Sequence, residues 1–294
     1  MNIGKTVFPV ILSIGLGACG GSTGANLSTA SAPTSSTYNI STGSSSSSTG
    51  SSSSSTGSSD SSTGSSSNSG STNGTQSAEG LWRGTTSTNR TVTSLITDNG
   101  SYWTIYSAAG NSSSTAGVIM GGSSSSNGAF TAVGSRDFDF ETGGQYFLTM
   151  NGSYTAKSQL SNTLTYDDSP QAIVTLSSSY DGNYDTASSL TTLAGSYVGA
   201  GKTTYNSDAS TAYSITSTGQ ISGSRANGCT FTGRATPRPN GKAYSITLNF
   251  NSSACVNGTV FTSGYAYFNP TTRQLYSVTR NSSNNDAFVF IGSK

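Results

Sequence analysis

Histidine is absent from this chain of 294 residues, and charged residues make up only 9% of it. Histidine is the commonest general base and metal ligand of proteins, because its imidazole titrates near neutral pH. Its absence therefore excludes most hydrolase constellations and the histidine-based zinc sites. We predict that the protein is not an enzyme and holds no metal or cofactor.

The chain also lacks a dominant charge and a long apolar run. Lys and Arg number 13 and Asp and Glu number 12, so the net charge is +1. This balance predicts no nucleic-acid partner, because binding to the phosphate backbone depends on clustered basic residues. No stretch approaches 18 apolar residues, so we predict no transmembrane helix.

Residues 20–76 contain almost only Ser, Gly, Thr and Asn, with Asp60 as their one charge. A segment with so few apolar side chains cannot bury enough surface to fold. We predict a flexible tether over residues 19–76, whose typical end-to-end distance is on the order of 40 Å.

The first 19 residues have the organisation of an export signal. Lys5 precedes an apolar run at residues 7–16, and the segment ends in Leu16-Gly17-Ala18-Cys19. This ending resembles the cleavage box of bacterial lipoproteins, which implies that residues 1–18 are removed and that Cys19 carries the lipid anchor. In that class Gly20 favours the outer membrane. An ordinary secretory signal with a stray cysteine is the alternative.

Turn signals dominate the remaining residues, 77–294. The Asn-Gly dipeptide, which favours the positive φ angles of tight hairpins, begins at Asn99, Asn127, Asn151, Asn227, Asn240 and Asn257. Strand-like runs lie at residues 92–97, 101–106, 145–150, 172–176, 213–216, 244–250, 265–268, 274–279 and 287–291. No amphipathic helix is evident. We predict an all-β fold, an antiparallel sandwich or barrel.

A weak internal repeat divides this region. Gly80-Leu81-Trp82-Arg83-Gly84 matches Gly195-Ser196-Tyr197-Val198-Gly199, and in both copies a strand ending in a turn glycine follows. We predict two related modules, at residues 77–189 and 190–294. They would form either two small β domains or two halves of one barrel.

Only Cys229 and Cys255 remain once Cys19 is assigned to lipid. Strand-like residues flank the turn at residues 237–241, so a hairpin would bring the two cysteines together at its open end. An even pair in an exported protein predicts a disulfide.

The second module resembles an uncharacterised group of exported proteobacterial proteins. The resemblance rests on residues 219–223, 228–233, 273–276 and Cys255. It implies a β fold with a bridged hairpin, and no activity.

Three motifs that could indicate chemistry are weak. Residues 20–24 fit the nucleophile-elbow pattern but lie in the tether, and residues 199–203 lack the first glycine and the helix of a phosphate loop, so we predict no nucleotide binding. Asp137, Asp139 and Glu141 alternate with Phe138 and Phe140. We interpret them as the solvated face of a strand whose rings face the core, with a calcium or basic-ligand site as the alternative.

These observations predict a lipid-anchored outer-membrane protein that presents a β-rich binding module at the membrane or cell surface, with a surface protein or glycan as partner. The alternatives are a passive structural lipoprotein of the envelope and, third, a histidine-independent enzyme. A binding protein should have a ligand-sized cleft or an exposed aromatic patch, and a structural protein neither. An enzyme should have carboxylates that converge in a pocket.

Overall fold

The computed structural model describes residues 76–169, 172–256 and 258–294. All of them belong to one compact unit. The predicted signal peptide, Cys19 and all of the tether except Gln76 lie outside the described residues. In the part of the chain that is described, no helix is both long and apolar enough to cross a bilayer.

The first half of the described chain forms an antiparallel barrel, called here the first barrel. Its strands are β1 (Gly80–Thr86), β2 (Thr91–Ile96), β3 (Ser101–Ala108), β4 (Asn111–Gly122), β5 (Ser124–Ser126), β6 (Ala129–Asp139), β7 (Gly144–Thr155), β8 (Gln159–Tyr166) and β9 (Ile173–Tyr180). β1 pairs with both β2 and β9, and the ring of eight strands closes where β4 pairs with β6. The short β5 pairs with β6 outside that ring.

The second half forms a closed barrel of eight consecutive strands, called here the second barrel. They are β10 (Gly195–Thr203), β11 (Asn206–Ile215), β12 (Gln220–Ser224), β13 (Thr230–Pro237), β14 (Ala243–Phe250), β15 (Val260–Asn269), β16 (Gln274–Asn281) and β17 (Ala287–Ser293), and β17 pairs back onto β10. A 3-10 turn at Gly182–Asp185 and a single helical turn, α1 (Leu190–Leu193), connect the two barrels. The all-β prediction is confirmed, and two barrels form rather than one.

The two copies of the internal repeat occupy equivalent positions. β1 and β10 are the first strands of the two barrels, and the third residue of each has a buried ring, Trp82 in β1 and Tyr197 in β10. Each ring donates a hydrogen bond to the carbonyl four residues earlier, that of Ala78 or Leu193. A Cβ at Gly84 or Gly199 would collide with the backbone of the neighbouring strand, so both copies need glycine where two strands cross closely.

The Asn-Gly dipeptides mark turns at most positions, but not at Asn151-Gly152. Asn127 and Gly128 both have positive φ and form the tight hairpin between β5 and β6, as predicted. Asn151 and Gly152, by contrast, lie inside β7. A Cβ on Gly152 would lie 1.9 Å from the carbonyl oxygen of Ser161. Here glycine permits close approach of β8 rather than a turn, and the sequence-based assignment of a turn was wrong.

Buried side chains form three clusters, one inside each barrel and one between them. Inside the second barrel, Phe231 lies 5.3 to 5.7 Å from the rings of Tyr213, Phe250 and Phe288. The cluster between the barrels joins outward-facing residues of the first barrel to those of the second: Leu81, Leu95, Trp103, Ile105, Val118, Met120 and Phe138 meet Ala243, Tyr267, Val278, Ala287 and Val289. Strands at this contact are buried on both faces.

Polar contacts lie at the edge of the contact between the two barrels. Arg238 Nε, just after β13, donates to Asp98 Oδ1 at 2.8 Å, and its guanidinium lies 5.3 Å from the ring centre of Tyr265. Lys202 Nζ on β10 donates to the carbonyl of Thr115 on β4 at 2.6 Å. Lys202 is the lysine of the rejected phosphate-loop motif. Its hydrogen bond shows that it joins the two barrels.

Cys229 and Cys255 form the predicted disulfide, with their Cα atoms 4.5 Å apart. Cys229 immediately precedes β13, and Cys255 follows β14, so the bridge closes the open end of this hairpin. Both cysteines are buried in the second barrel. The bond restricts the loop that follows β14 and adds stability by limiting the unfolded chain.

Candidate ligand cavity of the first barrel

The two ends of the first barrel differ. At one end, called the base, Ala78 is fully buried, its N–H donates to Ser125 Oγ and its carbonyl accepts from Trp82 Nε1. At the other end, called the mouth, a cavity of about 350 Å³ lies among the strand ends. A volume of this size is within the range of small-molecule sites.

The cavity has an apolar wall and a polar rim. The wall consists of inward-facing side chains from five strands, namely Val92, Ile119, Met150, Leu164, Val174 and Leu176. The rim includes Arg90, Asp137, Asp139, Tyr106, Tyr146, Tyr166 and Asp168. At the aromatic core of the second barrel, the described residues enclose a pocket of about 30 Å³ between the disulfide and Phe288.

Asp137 is the central polar group of the cavity. It is only 4% exposed, and its two oxygens accept hydrogen bonds from different tyrosines, Oδ1 from Tyr106 and Oδ2 from Tyr166, both at 2.8 Å. Burial raises the pKa of Asp137 to about 6, while the two tyrosine hydroxyls oppose that rise. Burial and the nearby carboxylate in turn raise the pKa of each tyrosine. Asp137 therefore takes up a proton at a higher pH than an exposed aspartate does.

This finding corrects the interpretation of Asp137, Asp139 and Glu141 as one solvated strand face. Asp137 is buried inside the barrel, and Phe138 is buried on the opposite face of β6 against the second barrel. Glu141 lies beyond the end of β6, where it pairs with Arg90 at 2.8 Å. Alternation correctly separated the carboxylates from the rings, but the two faces were assigned the wrong way round. Asp137 faces the barrel interior, and the ring face, which would otherwise meet solvent, is covered by the second barrel.

Arg90 is already engaged by the protein. Besides Glu141, its guanidinium donates to the carbonyl of Ser107 at 2.9 Å and lies 5.4 Å from the ring centre of Tyr106. The rings of Tyr146 and Tyr166 pack edge to face beside the carboxylate of Asp137, with their centres 6.3 Å apart. The mouth thus combines aromatic faces with acidic groups, and its one guanidinium has a carboxylate partner.

Hydrogen-bonding groups also lie beside the cavity floor. Asn162 pairs across the strands with Leu176, which lines the cavity, and Ser178 follows two residues later on β9. Both side chains are 3% exposed, and their polar atoms have no partner among the described residues. Unpartnered buried polar atoms cost free energy, so these two positions lower the stability of the fold.

Of the residues considered as sites from sequence, Asp137 and Asp139, the alternative calcium or basic-ligand site, line this cavity, whereas the two described cysteines do not. Cys229 and Cys255 lie in the second barrel, and Cys19 lies outside the described residues. No group of three or more Cys, Asp and Glu in the described chain is arranged to hold a metal ion. Sequence reasoning singled out Asp137 but missed Tyr106, Tyr166 and Arg90, because nothing in the sequence reveals which strand ends meet.

No family model and no curated protein matches the chain. Solved structures with a similar course of the chain include transferrin binding protein B of Haemophilus parasuis, a vaccine antigen, at 9% identity and a TM-score of 0.26, covering 70% of this chain and 65% of that one. Another is a Bacteroides fragilis protein described as an outer membrane protein. Its identity is 13% and its TM-score 0.22, and the match covers 75% of this chain and 97% of that one. The chain thus spans less than two thirds of transferrin binding protein B.

Proposed function

We propose that this protein is a lipid-anchored lipoprotein of the outer membrane that binds a small ligand in the mouth of its first barrel. The observation that carries the proposal is the cavity of about 350 Å³ with an apolar wall and a buried carboxylate. A ligand-sized cleft is the feature that separates a binding module from a passive structural protein. The proposed lipid anchor rests on the cleavage box at Cys19, and the proposed location in the outer membrane rests on Gly20.

The cavity also contains carboxylates, the feature expected of an enzyme. Both oxygens of Asp137 already accept hydrogen bonds from tyrosines, and this arrangement holds the carboxylate in one orientation. A general base needs a carboxylate within reach of the proton that it removes. The fixed and bonded carboxylate favours recognition of a ligand over transfer of a proton, and we retain binding as the function.

The binding proposal is tested by filling the cavity. Val174 lines its wall, whereas the adjacent Ile173 points outward and is 60% exposed. We expect the neutral fluorescent probe N-phenyl-1-naphthylamine to bind the purified protein with increased emission. Val174→Trp should reduce the affinity at least about tenfold by occupying the space of the probe, since burial of its apolar surface would be lost.

Ile173→Trp is the matched control, because it adds the same side chain to the same strand on its outer face. It should bind the probe like the wild-type protein. Equal probe binding by the wild type and by Val174→Trp would place the probe elsewhere and contradict a ligand site in this cavity.

The anchor is tested separately, in cells that express the full chain. Labelling with an alkyne analogue of palmitate should modify the wild-type protein and should be lost in Cys19→Ala, since the lipid is attached through that thiol. Cys255→Ala removes a different cysteine and should keep the label. Label that persists in Cys19→Ala, or a wild-type protein that is never labelled, would favour an ordinary secretory signal.

A further inference from the structure

The charges at the mouth of the first barrel are unbalanced. Asp137, Asp139 and Asp168 line the cavity together with one basic residue, Arg90, and the charge of Arg90 is matched by Glu141. Three carboxylates therefore remain without a basic side chain in the cavity lining. Charges that face a partly desolvated space act on a ligand more strongly than the same charges in water.

The aromatic groups beside Asp137 also favour a ligand with a positive charge. Tyrosine faces attract cations, and the guanidinium of Arg90 already lies over Tyr106 at 5.4 Å. Tyr146 and Tyr166 also line the cavity next to the carboxylate. Below them the wall is apolar, so a cation that binds here must carry a hydrocarbon body.

We propose that the cavity takes an amphipathic cation, an organic ammonium whose charged group pairs with Asp137 among the tyrosines while its apolar body fills the barrel. This inference rests on the proposed binding function and names the class of ligand. An anionic ligand would face the three carboxylates, and a neutral one would leave them without a counter-charge.

Three probes of one shape test the inference: 4-phenylbutylamine, 4-phenylbutanol and 4-phenylbutyrate. Each has a phenyl ring on a four-carbon chain, so they differ only at the head group, which is cationic, neutral or anionic. Titration calorimetry at pH 7.5 should show the amine binding more tightly than the alcohol by on the order of tenfold to a hundredfold, the range of a hydrogen bond to a charged group. The carboxylate should bind most weakly.

Asp137→Asn keeps the shape of the side chain and removes its charge. In this variant the preference for the amine over the alcohol should fall by on the order of tenfold. Asp168→Asn should lower amine affinity by a smaller factor, because Asp168 is exposed at the rim. Asp167→Asn is the control, since Asp167 is also exposed and precedes Asp168 but does not line the cavity.

Amine binding should also weaken between pH 7.5 and pH 5, as Asp137 takes up a proton. The groups that face Asp137 are Tyr106 from β3, Tyr146 from β7, Tyr166 from β8, Asp139 from β6 and Arg90, which immediately precedes β2. In Asp137→Asn the binding of the amine should lose most of this pH dependence.

The outcomes separate the two proposals. If the three probes bind equally and Val174→Trp abolishes their binding, the cavity is a ligand site and the cation inference is wrong. If the butyrate binds best, the inference is likewise overturned. If none of these probes and no N-phenyl-1-naphthylamine binds, the proposed function fails together with the inference.

Discussion

Replacing Trp103 by alanine is expected to lower the free energy of unfolding by about 3 to 5 kcal/mol, the range for large buried rings. Trp103 is fully buried in the cluster between the barrels. Its Nε1 has no hydrogen-bond partner among the described residues, so the loss is one of packing and burial. The truncation would leave a cavity against residues of both barrels, and neither can collapse into it without moving a sheet.

Urea unfolding followed by far-ultraviolet circular dichroism measures this effect. Val133→Ala on β6 is the control, because Val133 is 73% exposed and its truncation should change the free energy of unfolding by no more than about 0.5 kcal/mol. A loss of less than about 1 kcal/mol for Trp103→Ala would mean that the contact between the barrels contributes little to stability.

Ionisation of Asp137 is expected to destabilise the folded protein by on the order of 3 kcal/mol, because burial raises its pKa from 3.8 to about 6 and each pKa unit corresponds to roughly 1.4 kcal/mol. Between these two pH values the folded state binds more protons than the unfolded state. The contribution of Asp137 to stability is therefore fully present below about pH 4, decreases as the pH rises through about 6, and stays constant above that.

The difference in unfolding free energy between the wild type and Asp137→Asn isolates this term, since other groups contribute equally to both. The variant should gain in relative stability as the pH rises from 4 to 7. A titration of the ¹³C-labelled carboxyl should have its midpoint near pH 6. In Tyr166→Phe the pKa should rise further, because the lost hydroxyl favours the charged form. A flat difference between pH 4 and pH 7 would refute the burial effect.

The fold class was predictable because turn glycines and aromatic strands are local signals. The nine predicted runs all overlap observed strands, but the runs left out other strands. Among these, β4 and β8 have the sequences NSSSTAGVIMGG and QLSNTLTY, which are rich in Ser, Thr and Asn. Such residues are also typical of loops. In a barrel they are tolerated because every backbone group is paired by neighbouring strands.

The cavity was not predictable, because it depends on contacts between distant residues. Tyr106 and Tyr166 reach Asp137 from 31 and 29 residues away. That meeting follows from closure of the ring, in which Gly117 pairs with Asp139 and Met120 with Arg136. Closure is set by register over many strands, and a single sequence does not reveal register where side chains are small and polar.

The filled interior of the second barrel was likewise not predictable from the sequence. Its aromatic residues, among them Phe231 and Phe288, were recognised as strand residues but not as the contents of a barrel. Eight buried rings fill it, namely Tyr197, Tyr213, Phe231, Tyr244, Phe250, Phe268, Phe288 and Phe290. In the first barrel, smaller residues such as Gly117, beside Tyr106, and Val174 leave space near the mouth. The two barrels therefore differ in filling: rings pack the second barrel, whereas the first has a packed core and a cavity at its mouth.

The residues that lead into β1 enter the first barrel at its base, opposite its mouth. Ala78 lies two residues before β1, and the rim residue Thr86 ends this strand of seven residues, which spans about 20 Å. Under the proposed anchoring, the predicted flexible tether from Cys19 would therefore attach on the side away from the mouth. The lipid attachment would then leave the entrance of the cavity free for solutes from the surrounding liquid.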